Sequence, residues 1–166
     1  MNLVNKFNNK KKLIFDKINI YNILLILTIL TLDRLSKIEI INNFSGRTYF
    51  INNLININLI WNNGVGFGLL SFDSSLTYNL ITVLVGIVIL ILFYIAITSS
   101  KSEKLIYSII IGGALGNFYD RLTYSAVPDF IDIHYNNFHW FTFNVADIFI
   151  TMGVIAFIVR GFFVKN

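Results

Sequence analysis

Four stretches of the chain are almost unbroken runs of apolar residues, and the segments between them mix polar and apolar positions. The runs lie at 18–37 (including NILLILTILTL), 78–98 (NLITVLVGIVILILFYIAIT), 105–122 (LIYSIIIGGALGNFYDRL) and 143–163 (FNVADIFITMGVIAFIVRGFF). A membrane-spanning helix needs about 20 mostly apolar residues, so the pattern predicts four spans. In the segment 43–76, apolar and polar residues partly alternate from Thr48 to Trp61, which predicts short strands. Gly64, Gly66 and Gly68 then punctuate a turn. The segment 123–142, TYSAVPDFIDIHYNNFHWFT, reads as a loop rich in aromatic residues. The expected fold class is an all-α membrane protein of four transmembrane helices, with a small extracytoplasmic β-rich segment and an outer loop. No linker suggests a second unit, so residues 1–166 are expected to form one polytopic membrane domain.

Composition narrows the function classes. Of the 166 residues, 55% are apolar and 13% charged. Soluble domains carry about 25% charged residues, so a water-soluble helical bundle is the weaker alternative. Lysines precede the first run as in a cleaved signal peptide, but DRLSK stands where a small-residue cleavage site belongs. The first run is therefore expected to stay in the protein. With no Cys, thiolate nucleophiles, disulfides and Cys-ligated metals are excluded. The net charge of +4 does not indicate nucleic acid, because its distribution follows topology. The termini and the 99–104 loop hold nine basic residues, Lys6, Lys10, Lys11, Lys12, Lys17, Lys101, Lys104, Arg160 and Lys165, against Asp16 and Glu103, a net of +7. The other side holds four basic residues against seven acidic ones, a net of −3. Short cytoplasmic loops carry the excess of Lys and Arg, so both termini are expected in the cytoplasm.

A charge inside a span is costly and marks a candidate functional site. Lys17 to Asp33 and Lys104 to Asp120 are each 16 residues, about 24 Å along a helix. Asp147 to Arg160 is 13 residues in the opposite direction, about 20 Å. Three aspartates from three helices should thus lie at one depth near the outer face, and Asp129 in PDFID could fold back to join them. The competing explanation is ordinary boundary ion pairing among Asp33/Arg34, Asp120/Arg121 and Lys37. Two features favour a site. Asn117-x-x-Asp120 and Asn144-x-x-Asp147 put an amide one turn before a carboxylate, where it could hold that carboxylate's orientation. Gly112-x-x-x-Gly116 lets another helix approach beside that face.

Paired carboxylates are the chemistry that remains. Two close carboxylates share one proton; the ionised one takes a proton from water, and the protonated one donates to a scissile carbonyl. The residues alone leave open which two of Asp33, Asp120, Asp129 and Asp147 form the pair. A metal site at His134, His139, Asp129 and Asp132 matches no standard ligand spacing, so neither a metal nor another cofactor is expected. A four-span transporter or proton carrier is the alternative function, but it would want an ionisable group near the bilayer middle, and Leu84–Phe93 has none. A purely structural subunit would not explain the Asn-x-x-Asp pairs.

Five motifs appear in order: Asp33-Arg-Leu-Ser-Lys37, Asn62-Asn-Gly64-Val-Gly-Phe-Gly68, Gly112-Gly-Ala-Leu-Gly116-Asn117-Phe-Tyr-Asp120-Arg121, Val127-Pro-Asp129-Phe-Ile-Asp132 and Phe143-Asn144-Val-Ala-Asp147. Together they resemble the bacterial lipoprotein signal peptidases, the type II signal peptidases, over roughly residues 28–160. The resemblance implies a polytopic inner-membrane aspartic endopeptidase that cuts prolipoproteins before a diacylglyceryl-modified Cys. That essential Cys belongs to the substrate. The implied partners are lipid-modified prolipoproteins and membrane lipid, with the enzyme working as a monomer. By the same resemblance, Asp129 and Asp147 are the catalytic pair. Asp120 and Arg121 support it, and Asp33, Lys37, Asn62, Gly64, Asn117 and Asn144 shape the pocket or engage substrate. Pro128 stands where the family usually has Val. The Pro common before F-N-x-A-D is missing from Trp140-Phe-Thr-Phe143, and the usual A-F-G-like turn reads Val65-Gly-Phe67.

Overall fold

The computed structural model describes residues 17–64, 75–136 and 138–163. Four helices and four strands follow in the order α1 (Lys17–Asn43), β1 (Tyr49–Asn52), β2 (Ile55–Asn62), α2 (Ser75–Thr98), α3 (Lys101–Tyr124), β3 (Val127–Tyr135), β4 (Phe138–Phe143) and α4 (Val145–Phe163). The helices overlap the four apolar runs. The turn expected at Gly66 and Gly68 lies outside the described residues, as do Lys6, Lys10, Lys11, Lys12, Asp16, Asp73 and Lys165.

Two helices, α2 (from Leu76) and α4, are long and apolar enough on their own to cross a membrane. Their outer faces are covered by exposed large apolar side chains, among them Leu80, Leu84, Ile87, Leu90 and Ile91 on α2 and Met152, Ile155, Phe157, Ile158 and Phe162 on α4. Water would penalise so much contiguous apolar surface. Helices α1 and α3 are as long, but their inward faces carry polar and charged side chains among the apolar ones. The buried stripe of α1 runs Asn22, Ile26, Ile29, Asp33, Lys37, Ile40. That spacing of three and four residues is one face of a helix, and its polar members turn towards the other helices.

Glycine makes this packing possible. α3 lies between α1 and α4, and at three positions a β-carbon would collide with a neighbour. At Gly112 it would meet Ile29 Cβ at 2.9 Å, at Gly113 the Ala146 carbonyl oxygen at 2.5 Å, and at Gly116 the Asp33 carboxylate. The Gly112/Gly116 pair thus admits α1, as expected from its spacing. Gly113 admits α4.

The segment 123–142 is not an irregular loop. Ser125, in the left-handed region at φ 54°, ends α3, and the chain turns directly into β3. β3 pairs antiparallel with both β2 and β4, giving one four-stranded sheet in the order β1-β2-β3-β4. The expected strands at 48–61 are therefore half of a larger sheet. The aromatic residues and Pro128 hid the other half, because Pro inside a run argues against a central strand. Here Pro128 is the second residue of β3, paired with Trp61. Its fixed φ suits an extended backbone, as does the extended conformation that Pro imposes on Val127. Between Ile57 and Ile60 the β2–β3 register shifts, immediately beside the Ile60–Asp129 pair; such irregularities re-aim side chains.

Replacing Gly116 with Ala should destabilise the detergent-solubilised protein by about 1–3 kcal/mol, the cost of overpacking, and lower its thermal midpoint. Gly161→Ala, with open space around it, should leave the midpoint unchanged or slightly raised. Equal midpoints for the two variants would contradict the packing role of Gly116.

Candidate active site

The three helix aspartates meet at the end of the bundle nearest the sheet, as their common depth required. Lys37 organises them. Its side chain is fully buried, and its ammonium donates to Asp33 Oδ2 at 2.8 Å, Asp120 Oδ2 at 2.6 Å and Asn117 Oδ1 at 2.9 Å. All three of its N–H donors are thereby used. Arg34 forms an ion pair with the other Asp120 oxygen at 2.6 Å and lies over the Tyr119 ring. Two cations therefore balance two buried carboxylates, in a setting where removing one partner of a charge pair is expensive. Asp33 uses its second oxygen to accept the backbone N–H of Ala146 at 2.9 Å, in the first turn of α4, where a carboxylate also suits the helix dipole.

The resemblance gives Asp120 and Arg121 a shared supporting role, and the two side chains turn to different partners. Asp120 faces Lys37 and Arg34, while Arg121 donates to the Gly64 carbonyl at 2.9 Å. Successive residues on a helix point about 100° apart, so each reaches a different neighbour. Arg121 fixes the end of the β2 segment. Gly64 in turn donates its N–H to Asn62 Oδ1 at 2.8 Å, and Asn62 Nδ2 donates to Asp129 Oδ2, also at 2.8 Å.

Asp129 and Asp147 come together around Asn144. Asn144 is fully buried; its Nδ2 donates to Asp129 Oδ1 at 2.6 Å, and its backbone N–H donates to Asp147 Oδ2 at 3.2 Å. Its Oδ1 accepts the Asp147 backbone N–H at 3.0 Å. Asn144 and Asp147 thus cap α4 reciprocally, in the manner of a capping box. The remaining Asp147 oxygen accepts from Asn117 Nδ2 at 2.7 Å. The two Asn-x-x-Asp pairs therefore work differently from their sequence reading. Asn117 holds Asp147 on the neighbouring helix instead of Asp120 on its own, and the Asn144 amide holds Asp129, leaving its backbone to hold Asp147.

Asp129 is almost fully buried, and its carboxyl is pushed up to about 7. Burial, which penalises the charged form, is the main cause, followed by the nearby negative charge of Asp147. Asp147 is only partly buried and lines a cleft of about 300 Å³ with Phe141, Phe143, Ile148, Thr151 and Met152. The cleft wall is otherwise apolar or aromatic apart from Thr151, a feature the motifs alone did not show.

Residues 25–163 match the family described as signal peptidase (SPase) II. The chain belongs to the signal peptidase II family. Among relatives, it is 44% identical over 148 residues to a lipoprotein signal peptidase of Pelagibacter ubique (strain HTCC1062), covering 87% of this chain and 89% of the relative. It is 39% identical over 144 residues to that of Anaplasma phagocytophilum (strain HZ), covering 84% and 90%. A solved bacterial membrane enzyme, determined by the in meso method at 2.3 Å resolution, superposes with a TM-score of 0.71 at 30% identity, covering 84% of this chain and 86% of that one. Membership of this family makes the chain a membrane-associated protease that removes signal peptides from lipoproteins.

Among the described residues, Asp132, His134 and His139 form a separate group on the sheet. On the sheet, His139 Nδ1 lies 2.7 Å from Asp132 Oδ2 and stacks on His134. Among the described residues, no group of three or more His, Cys, Asp or Glu is arranged to hold a metal ion.

Lys37→Met should lower stability by about 3–5 kcal/mol, because it leaves the buried carboxylates undercompensated. Adding Asp120→Asn should recover part of that loss by restoring the balance of charge. Thermal denaturation in detergent checks both. A midpoint unchanged by Lys37→Met would contradict the organising role of the ammonium.

Proposed function

We propose that the chain removes lipoprotein signal peptides as an aspartic endopeptidase, with Asp129 and Asp147 as the catalytic pair. The observation that carries this reading is their meeting at Asn144. Two carboxylates from different elements are held through one residue, and every carboxylate oxygen accepts a directed N–H. That leaves each carboxylate oriented, with further acceptor capacity for a water molecule. In the proposed reaction the ionised member takes a proton from water while the oxygen attacks the scissile carbonyl. The protonated member donates to the carbonyl oxygen, giving a tetrahedral diol. Collapse of the diol returns a proton to the leaving amine and releases the new carboxylate. The raised Asp129 value supports this scheme, since a carboxyl near 7 still holds its proton at mildly acidic to neutral pH.

The substrate is a lipid-modified precursor cut before its diacylglyceryl-bearing Cys. The apolar cleft beside Asp147 supports this, because an acylated chain can reach it without crossing water. Asp33, Lys37, Asp120 and Arg121 support the pair from behind. Asn62, Gly64, Asn117 and Asn144 set its geometry. All four helices cross the inner membrane of a bacterium, as a monomer among membrane lipids, with both termini cytoplasmic and the sheet on the outer face. α1 and α3 carry charge through the bilayer by burying it against each other.

Asp129→Asn and Asp147→Asn should each reduce cleavage of a lipidated prolipoprotein by at least the 10²–10⁴-fold typical of a general acid or base, with expression unchanged. Asp120→Asn should reduce it less. Near-normal cleavage by either of the first two variants would rule out the pair. For topology, a reporter fused after Asn166 should be active only as a cytoplasmic fusion. An active periplasmic reporter there would reverse the orientation.

A further inference from the structure

We infer that the two carboxylates have fixed and different duties: Asp147 is the base that carries the negative charge, Asp129 is the acid that carries the shared proton, and Asn117 with Lys37 behind it sets this division. The inference rests on the aspartic reading above and goes beyond it, since a shared proton alone does not say where it resides.

Both carboxylates accept two N–H bonds, so the number of donors does not distinguish them. What lies behind the donors does. The Asn117 amide that donates to Asp147 accepts the Lys37 ammonium on its own oxygen at 2.9 Å. A cation on an amide oxygen polarises the amide and strengthens its N–H as a donor to an anion. Among the described residues, the two amides that donate to Asp129 have no such backing. Asn62 Oδ1 accepts a backbone N–H from Gly64, and Asn144 Oδ1 accepts one from Asp147. Asp147 also sits in the first turn of α4, where the helix dipole favours negative charge. Asp129 lies in a strand, without that help. The two also differ in place: Asp147 lines the cleft, while Asp129 is almost fully buried on β3. The carboxyl value of about 7 at Asp129 is consistent with the acid role.

Among the described residues, the charged groups behind the pair are Asp33, Arg34 and Lys37 from α1 and Asp120 and Arg121 from α3, the last turned to the Gly64 carbonyl. Lys37 is the cation that reaches Asp147 through a single intervening side chain. Asn117 and Lys37 are positioning residues in this account, because they act through Asp147.

The test is the pH dependence of kcat/KM for Asn117→Leu and Asn62→Leu, measured with a lipidated prolipoprotein in detergent. Asn117→Leu removes a donor to the base, so the acid limb should move up by about one pH unit. KM and the alkaline limb should stay in place. Asn62→Leu removes a donor to the acid, so the alkaline limb should move up while the acid limb stays. If Asn117→Leu does not fold, Asn117→Asp keeps the shape and the Lys37 contact but offers no N–H; it should shift the same limb. An alkaline shift from Asn117→Leu would reverse the assignment. Equal movement of both limbs, or movement of neither, would overturn a fixed division. Those outcomes leave the catalytic pair intact as long as Asp129→Asn and Asp147→Asn both abolish cleavage. Cleavage by either of those variants would defeat the pair itself.

Discussion

One buried ammonium sets the arrangement of the candidate active site. Lys37 satisfies Asp33 on its own helix, Asp120 on α3 and Asn117 one turn earlier on α3. In a low-dielectric environment an unmatched charge is far more costly than in water, so the helices carrying these groups have little freedom in register or separation. The small residues of α3 follow from that demand. Without Gly116, a β-carbon would occupy the space of the Asp33 carboxylate, and without Gly112 and Gly113 the flanking helices could not approach. The charge network and the glycine contacts are two aspects of one constraint.

The sheet supplies the second half of the site. Asp129 arrives on β3 because α3 ends at a left-handed Ser125 and the strand returns beside β2. Its two amide partners come from β2 and from the cap of α4. The cap residue, Asn144, therefore serves the helix and both carboxylates at once. Arg121 joins the charged end of the bundle to the sheet through the Gly64 carbonyl. The cleft beside Asp147 opens between β4 and α4, walled mainly by Phe141, Phe143, Ile148 and Met152.

Much of this was legible in the chain. The 16-residue intervals from Lys17 to Asp33 and from Lys104 to Asp120 require a common depth, because helical rise is fixed, and the structure brings those aspartates to a single ammonium. What the intervals could not show was partnership across helices. Asn117 and Asp120 share a helix face, but Asn117 meets a cation on α1, Lys37, and a second carboxylate on α4, Asp147. Asp120 and Arg121 are adjacent in sequence and point to different partners. The second half of the sheet was obscured by Pro128 and by crowded aromatics that read equally well as an interfacial loop. Helices α1 and α3 pose the converse difficulty. Their buried charges make them less apolar than α2 and α4, and those same charges form the network behind the site.

The central claim, that Asp129 and Asp147 act together on one reacting carbon, is tested most directly by a structure with a transition-state isostere. The probe would be a lipidated prolipoprotein peptide whose scissile bond is replaced by a hydroxyl-bearing carbon. The account predicts that hydroxyl within hydrogen-bonding distance of both carboxylates, about 2.6–3.2 Å, with the acyl chains along the Phe141–Met152 cleft. A competitive inhibitor bound with its hydroxyl away from both carboxylates, or touching Asp120 in their place, would contradict it.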